Sequence, residues 1–244
     1  MHMGTVIPLK KEINNSYLGL KNLAGDRLDN VTQVINYKLA SDINLIHKMT
    51  NHHFNSGGKR IRPLLTLAAA KLCGYIDGNR DINLAACIEL IHSATLLHDD
   101  VIDNSELRRG TKTANSVWGN QSSILVGDYL FSRCFEIMVE DGSIEVLKLL
   151  SSASSTIAQG EVLQLEHKGE IDVLEETYFN IINMKTATLF AAAAKVGACI
   201  GDKSKKEKDA LESYGKNLGL AFQIADDALD YYSTQKIFGK EIGK

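Results

Sequence analysis

Proline is almost missing from this chain, with Pro8 and Pro63 the only two in 244 residues. Alternating β-branched runs are scarce too, whereas apolar residues recur at i, i+3 and i+4 over long stretches, which points to an all-α architecture. Cysteine is sparse: Cys73, Cys87, Cys134 and Cys199 lie far apart among Ala, Leu and Ile and form no C-x-x-C pair. That excludes a zinc ribbon and is expected of buried free thiols in a reducing cytoplasm. No apolar run reaches the ~18 residues needed to cross a bilayer, and the N-terminus turns polar within ten residues, so a soluble, cytoplasmic protein is expected. Neither sign of charge dominates, and a net charge of −3 gives no footprint for a nucleic-acid partner. Without a low-complexity linker or a long internal repeat, residues 1–244 read as a single domain, and 44% hydrophobic residues suffice for its core.

What the chain does have is a pair of acidic clusters inside apolar helices. His98-Asp99-Asp100-Val101-Ile102-Asp103 ends one helix, and Gln223-Ile224-Ala225-Asp226-Asp227-Ala228-Leu229-Asp230 repeats the arrangement far downstream. Asp99 and Asp103, like Asp226 and Asp230, are four residues apart and share a helix face. Stacked carboxylates repel and call for a cation. Hard oxygen donors without Cys or paired His suit Mg²⁺, which takes one or two carboxylates plus substrate phosphates, so two such helix ends suggest a diphosphate held between them. A lone cluster of this kind is as readily a solvated helix end.

The basic residues are local. Gly57-Gly58-Lys59-Arg60-Ile61-Arg62 opens a helix at Pro63, where glycines permit close backbone approach, the helix start offers free N–H groups, and three cations supply charge for an anion. Arg108-Arg109 follow the first acidic helix, where two guanidinium forks can close over phosphate oxygens. His92 lies on the same helix face as Thr95, Asp99 and Asp103, and Lys185 sits in a small-residue helix where it snorkels or meets an anion. His52-His53 point ~100° apart on a helix and rarely chelate one ion.

Between these motifs, residues 9–50 read as two amphipathic helices broken near Gly25-Asp26, the second carrying Val31, Val34, Ile35, Leu39, Ile43 and Ile46 on its inner stripe. Gly110–Gly119 reads as a polar loop around Trp118. Helices are expected from Ser122 to Glu140 and from Gly142 to Lys168, the latter with Gln159, Glu161 and Gln164, which fit either a cavity wall or the surface. Asp172–Glu175 and Ser204–Glu207 have capping-box spacing.

Together, in this order, the acidic clusters, the double arginine and the Gly-Gly-Lys-Arg segment resemble the trans-isoprenyl diphosphate synthases, of the long-chain, octaprenyl-like branch, from about residue 45 onward. The resemblance implies roughly ten antiparallel helices around a central cavity, in a homodimer. It implies condensation of isopentenyl diphosphate with an allylic diphosphate to a long polyprenyl diphosphate for a quinone side chain, the product passing to a membrane. It implies two or three Mg²⁺ ions held by Asp99, Asp103 and Asp226 with help from Asp100, Asp227 and Asp230. Arg108, Lys185, Thr186, Gln223 and Lys240 would serve the allylic diphosphate, and Lys59, Arg62, His92 and Arg109 the isopentenyl diphosphate. Ala94 and Thr95, small residues just below Asp99, would let the growing tail pass toward Phe131, Phe135 or Met138.

Family members continue for several helices after the lysine-bearing loop at Lys240, so the expectation is a domain lacking their C-terminal helices. That leaves a non-catalytic or regulatory partner of another synthase as a second reading. A metal-dependent phosphohydrolase built on His98-Asp99 is a third, which leaves the second acidic cluster without a purpose. Two wholly apolar stretches, Ser122–Met138 and Ala187–Ala198, are expected at the subunit interface.

Overall fold

A computed structural model describes residues 9–232. Among them the chain forms α1 (Leu9–Ala24), α2 (Arg27–Lys38), α3 (Asn44–Asn55), α4 (Ile61–Leu72) and α5 (Arg80–Ile102). The small hairpin β1 (Leu107–Arg108) and β2 (Thr111–Lys112) follows, then α6 (Ala114–Trp118), α7 (Asn120–Asp141) and α8 (Ile144–Glu166). A final group comprises α9 (Glu175–Ile182), a π turn at Asn183–Ala187, α10 (Thr188–Ile200) and α11 (Lys205–Tyr232). The all-α expectation holds, with α9, the π turn and α10 joined end to end.

The core is organised around α10, in which every residue but Thr188 and Lys195 is buried. It packs against α4, α5, α8 and α11. Small residues make that possible. A Cβ on Gly197 would stand 2.4 Å from the Ala70 nitrogen, and one on Gly215 would stand 2.4 Å from the Phe190 carbonyl oxygen, so α4 and α11 meet α10 backbone to backbone. The apolar run at Ala187–Ala198 therefore fills the protomer's own core, which corrects its assignment to a subunit interface. α7 differs: it buries Val126, Leu130, Cys134, Ile137 and Met138 while presenting Ile124, Leu125, Phe135 and Val139 outward.

Several local readings change. Residues 9–50 form three helices, because the Ser41 hydroxyl accepts from the Ile43 N–H at 3.2 Å in a turn after Leu39, and Ile43 is 61% exposed rather than part of an inner stripe. The Gly110–Gly119 segment is not loop throughout. Arg109 (φ 52°) and Gly110 (φ 77°) both take left-handed backbone between β1 and β2, the requirement of a two-residue hairpin turn whose twist matches its strands. α6 then places Trp118 edge-on to His52, ring centres 5.1 Å apart. α4 begins at Ile61, so Pro63 is its third residue, still within the turn whose N–H groups have no helical partner.

Of the two capping boxes only the second forms. Ser204 donates its N–H to Glu207 Oε2 at 2.9 Å and accepts the Glu207 N–H on Oγ at 3.4 Å. α9 starts at Glu175 after an extended Leu174, with no side-chain cap, so Asp172 stands outside it. The four cysteines are free and buried, and no described helix is long and apolar enough to cross a membrane.

Candidate active site

The first acidic cluster splits its carboxylates between two tasks. Asp100 is 2% exposed, and Arg108 from β1 grips it through Nε at 2.9 Å and Nη2 at 2.7 Å from Oδ1. Asn115 adds a bond from Nδ2 to the Asp100 carbonyl oxygen at 3.1 Å. Arg108, expected over a diphosphate, is therefore the counter-charge that ties the hairpin to α5. Asp99 is the opposite case. Its Oδ1 is buried without a hydrogen-bond partner, and burial pushes its pKa up to about 7, with Glu161 and Asp103 pushing the same way and Lys185 and Arg108 opposing. Asp103 closes the helix, 3.8 Å from Lys168 Nζ.

The π turn stands between the two clusters. Such turns insert a residue into a helix and re-aim its neighbours. Gly160 on α8 leaves room for this one, since a Cβ there would lie 2.8 Å from Met184 Cβ. On one side Lys185 Nζ lies 2.7 Å from Glu161 Oε2 and 2.8 Å from Gln164 Oε1, beside the Asp99 cluster. On the other, Thr186 donates from Oγ1 to Gln223 Oε1 at 2.8 Å. Gln223 Nε2 in turn donates to Asp227 Oδ1 at 2.8 Å, and Tyr178 donates its hydroxyl to Asp227 Oδ2 at 2.6 Å. Two successive residues thus connect α5 and α8 with α11. Among the described residues no three His, Cys, Asp or Glu side chains converge on one metal position. The unpartnered Oδ1 of Asp99 and Oε1 of Glu161 are hard oxygen donors of the kind Mg²⁺ accepts when substrate phosphates complete its shell.

The basic end lies two turns further down α5. Arg109 donates from Nη1 to the Gly57 carbonyl oxygen and lies directly on Gly58, where a Cβ would come within 2.7 Å of that nitrogen. Gly58 is the residue that makes room for it. Lys59 is exposed, its carbonyl oxygen accepting from the Tyr17 hydroxyl at 3.2 Å. The Arg62 guanidinium stacks on the Phe190 ring, 4.4 Å from its centre, with Nε unpartnered; burial lowers its pKa to about 10 while Glu89 opposes. Burial, helped by Arg62, holds His92 well below the usual imidazole range, so it is neutral. A cavity of about 20 Å³ lies among His53, Arg60, Glu89, His92 and Arg109.

Ala94 is fully buried, and Thr95 donates its hydroxyl to the His92 carbonyl oxygen at 2.8 Å. Met138 is buried and Phe131 half-buried, but Phe135 is 51% exposed on the outward side of α7, so it cannot floor a tunnel inside this protomer. Lys240 lies outside the described residues. His98 turns to α7, with Nε2 3.2 Å from the Ile124 carbonyl oxygen and 3.4 Å from Asp128 Oδ1, which leaves a histidine-aspartate metal dyad without its histidine. Of the α8 polar residues, Glu161 and Gln164 face the site, and Gln159 bonds back to Ser155 on the surface. Tyr178, Lys168 and Glu89 carried no recognisable signal as site residues, and His53 stands out only as half of a candidate metal-binding pair.

Helices carrying two acidic clusters joined by a lysine-bearing turn, with a separate arginine-rich pocket below, define an isoprenoid synthase fold. Residues 43–244 match the family model described as polyprenyl synthetase. The chain is 43% identical to the octaprenyl diphosphate synthase of Escherichia coli (strain K12), across 92% of this chain and 69% of that one. Among solved structures it resembles a polyprenyl synthase from Caulobacter crescentus CB15 complexed with calcium and isoprenyl diphosphate, with a TM-score of 0.90 and 47% identity over 93% of this chain and 69% of the other. It also resembles a decaprenyl diphosphate synthase from Rhodobacter capsulatus, with a TM-score of 0.86 and 45% identity over 93% and 69%. The chain belongs to the polyprenyl synthetase family.

Proposed function

We propose that this chain joins isopentenyl diphosphate to an allylic diphosphate in the trans, 1'-4 sense and builds an octaprenyl-like polyprenyl diphosphate. Family membership and the likeness to octaprenyl diphosphate synthase make it a long-chain trans-prenyltransferase. The observation that carries the residue assignment is the π turn, which sets Lys185 beside the Asp99 cluster and ties Thr186 through Gln223 to Asp227.

Asp99, Asp103 and Asp226 would hold two or three Mg²⁺ ions together with the allylic diphosphate, and those ions supply charge stabilisation as the diphosphate leaves. Lys185 stands ready beside them, and Lys240 is its counterpart on the chain beyond α11. Thr186 and Gln223 orient the allylic group by hydrogen bonds, and Asp227 holds Gln223 in place. Arg108 serves that group only by leaving Asp100. Isopentenyl diphosphate does not ionise, so fixed cations suit it: Lys59, Arg62 and Arg109, with His92. Buried apolar surface of α5 and α10 keeps water from the allylic cation.

Residues 1–244 act as one domain in this reading, in the cytoplasm, and deliver product to a membrane. The outward stripe of Ile124, Leu125, Phe135 and Val139 on α7 is the face for a homodimer.

Labelled isopentenyl diphosphate and farnesyl diphosphate supplied to the purified chain, with products resolved by length, test the assignment. Chains well beyond farnesyl length are expected. Ala94→Phe should shorten them to about fifteen or twenty carbons, because a ring at a fully buried wall position displaces its neighbours or fills the path. No turnover by the chain alone would sink the catalytic reading, and unchanged length in the variant would move the tunnel off this face.

A further inference from the structure

The cavity beneath the Gly57–Arg60 loop contains a group that an anion site should avoid. Glu89 lines it, one helical turn before His92, and His53 on α3 faces the same space. Among the described residues no hydrogen bond or ion pair holds the Glu89 carboxylate; burial raises its pKa, and the charges of Arg62, then Arg60 and Arg109, oppose that rise. Arg62, its main counter-charge, likewise leaves Nε without a partner. Both side chains are half-buried and form no ion pair with each other, and Glu89 borders a space large enough for about one water.

The segments around this cavity bring several titratable or charged groups. α3 brings His53, which burial and then Arg108 and Arg109 hold down at about 3. The loop and start of α4 bring Arg60 and Arg62, α5 brings neutral His92, and the hairpin brings Arg108 and Arg109. Both imidazoles are neutral, so the arginines alone balance an ionised Glu89. Burial already pushes its carboxyl upward against them.

A diphosphate bound by Arg62, Arg109 and His92 would draw on the same arginines. We propose that Glu89 is a further member of the isopentenyl diphosphate site, and that binding of this substrate takes one proton from solvent onto the Glu89 carboxylate. The inference rests on placing isopentenyl diphosphate at this basic end. The proton converts a repelling wall into a hydrogen-bond donor facing the cavity. No bond to carbon or phosphorus is made or broken; the proton comes from buffer on binding and returns to it on release. His53 and Phe54 line the cavity beside Glu89.

The test is isothermal titration of isopentenyl diphosphate, without allylic substrate, at pH 8 in two buffers of different ionisation enthalpy. Wild-type protein should take up close to one proton per ligand, and its dissociation constant should weaken toward tenfold per pH unit above pH 8, the slope of a one-proton linkage. Glu89→Gln keeps the shape and a donor, so it should bind at pH 8 at least as well as wild type, with uptake cut by more than half and a flattened pH slope. Buffer-independent heats for the wild type would overturn the inference even if the variant failed to fold. Full uptake retained in a folded Glu89→Gln would overturn it as well, placing the proton on His92 or on the ligand. Arg109→Ala separates the two levels: if it leaves isopentenyl diphosphate affinity unchanged the substrate placement has failed, and if it weakens affinity while Glu89→Gln alters nothing only the proton inference has failed.

Discussion

The two acidic clusters share a pattern but are held by different forces. On α5, Asp100 is locked by a cation, Arg108, and Asp99 beside it is left with an unpartnered buried oxygen. On α11, Asp227 is held by two neutral donors, the Tyr178 hydroxyl and the Gln223 amide. The α5 cluster is anchored inside the protein, with the charge of one carboxylate already neutralised. The α11 cluster is only oriented, with Asp227 bonded to neutral groups. The same Asp-Asp-x-x-Asp pattern thus makes a rigid half, anchored by charge, and an adjustable half, only oriented, of the proposed site.

The comparison breaks first at the carboxylates themselves. Asp99→Ala and Asp226→Ala should each lower turnover by several orders of magnitude while leaving the helical circular dichroism unchanged, because charge stabilisation of a leaving diphosphate contributes several kcal/mol. Near wild-type rates in either variant would mean that the two halves do not serve one reaction.

Much of this was legible beforehand for a simple reason: helices, acidic pairs and glycine-linked cations are local patterns. The positions of α4, α5, α7, α8 and α11, the second capping box, and the faces of Asp99 and Asp103 follow from spacing alone. What was not legible depends on partners distant in sequence. That Arg108 belongs to Asp100 follows from the β1–β2 turn, whose left-handed Arg109 no helical period announces. That Ala187–Ala198 is core rather than interface follows from Gly197 and Gly215 drawing α4 and α11 against α10. Tyr178 reaches Asp227 across 49 positions, and no spacing rule spans that distance.

The rigid half should show itself in stability. Arg108→Leu leaves the Asp100 side chain, 3% exposed, without its counter-charge, and breaking a buried pair on one side costs about 3–5 kcal/mol. For a chain of this size that is a fall in Tm of about 10 °C in a calorimetric scan. Replacing both residues by Leu should recover part of the loss, since no charge is then stranded. Equal Tm in wild type and Arg108→Leu would show that the pair is incidental and that Arg108 is free for substrate.

The adjustable half predicts the smallest effect. Tyr178→Phe removes one neutral donor from Asp227, but the Gln223 bond remains and the carboxylate is only half-buried, so water can take the vacated acceptor site. A hydrogen bond in that setting contributes about 0.5–1.5 kcal/mol, so Tm should fall by a few degrees at most. Any kinetic change should appear in KM for the allylic diphosphate, because Asp227 reaches that substrate through Gln223, while KM for isopentenyl diphosphate stays put. A loss as large as that of Arg108→Leu would place a rigid anchor on α11 too, and the contrast between the clusters would disappear.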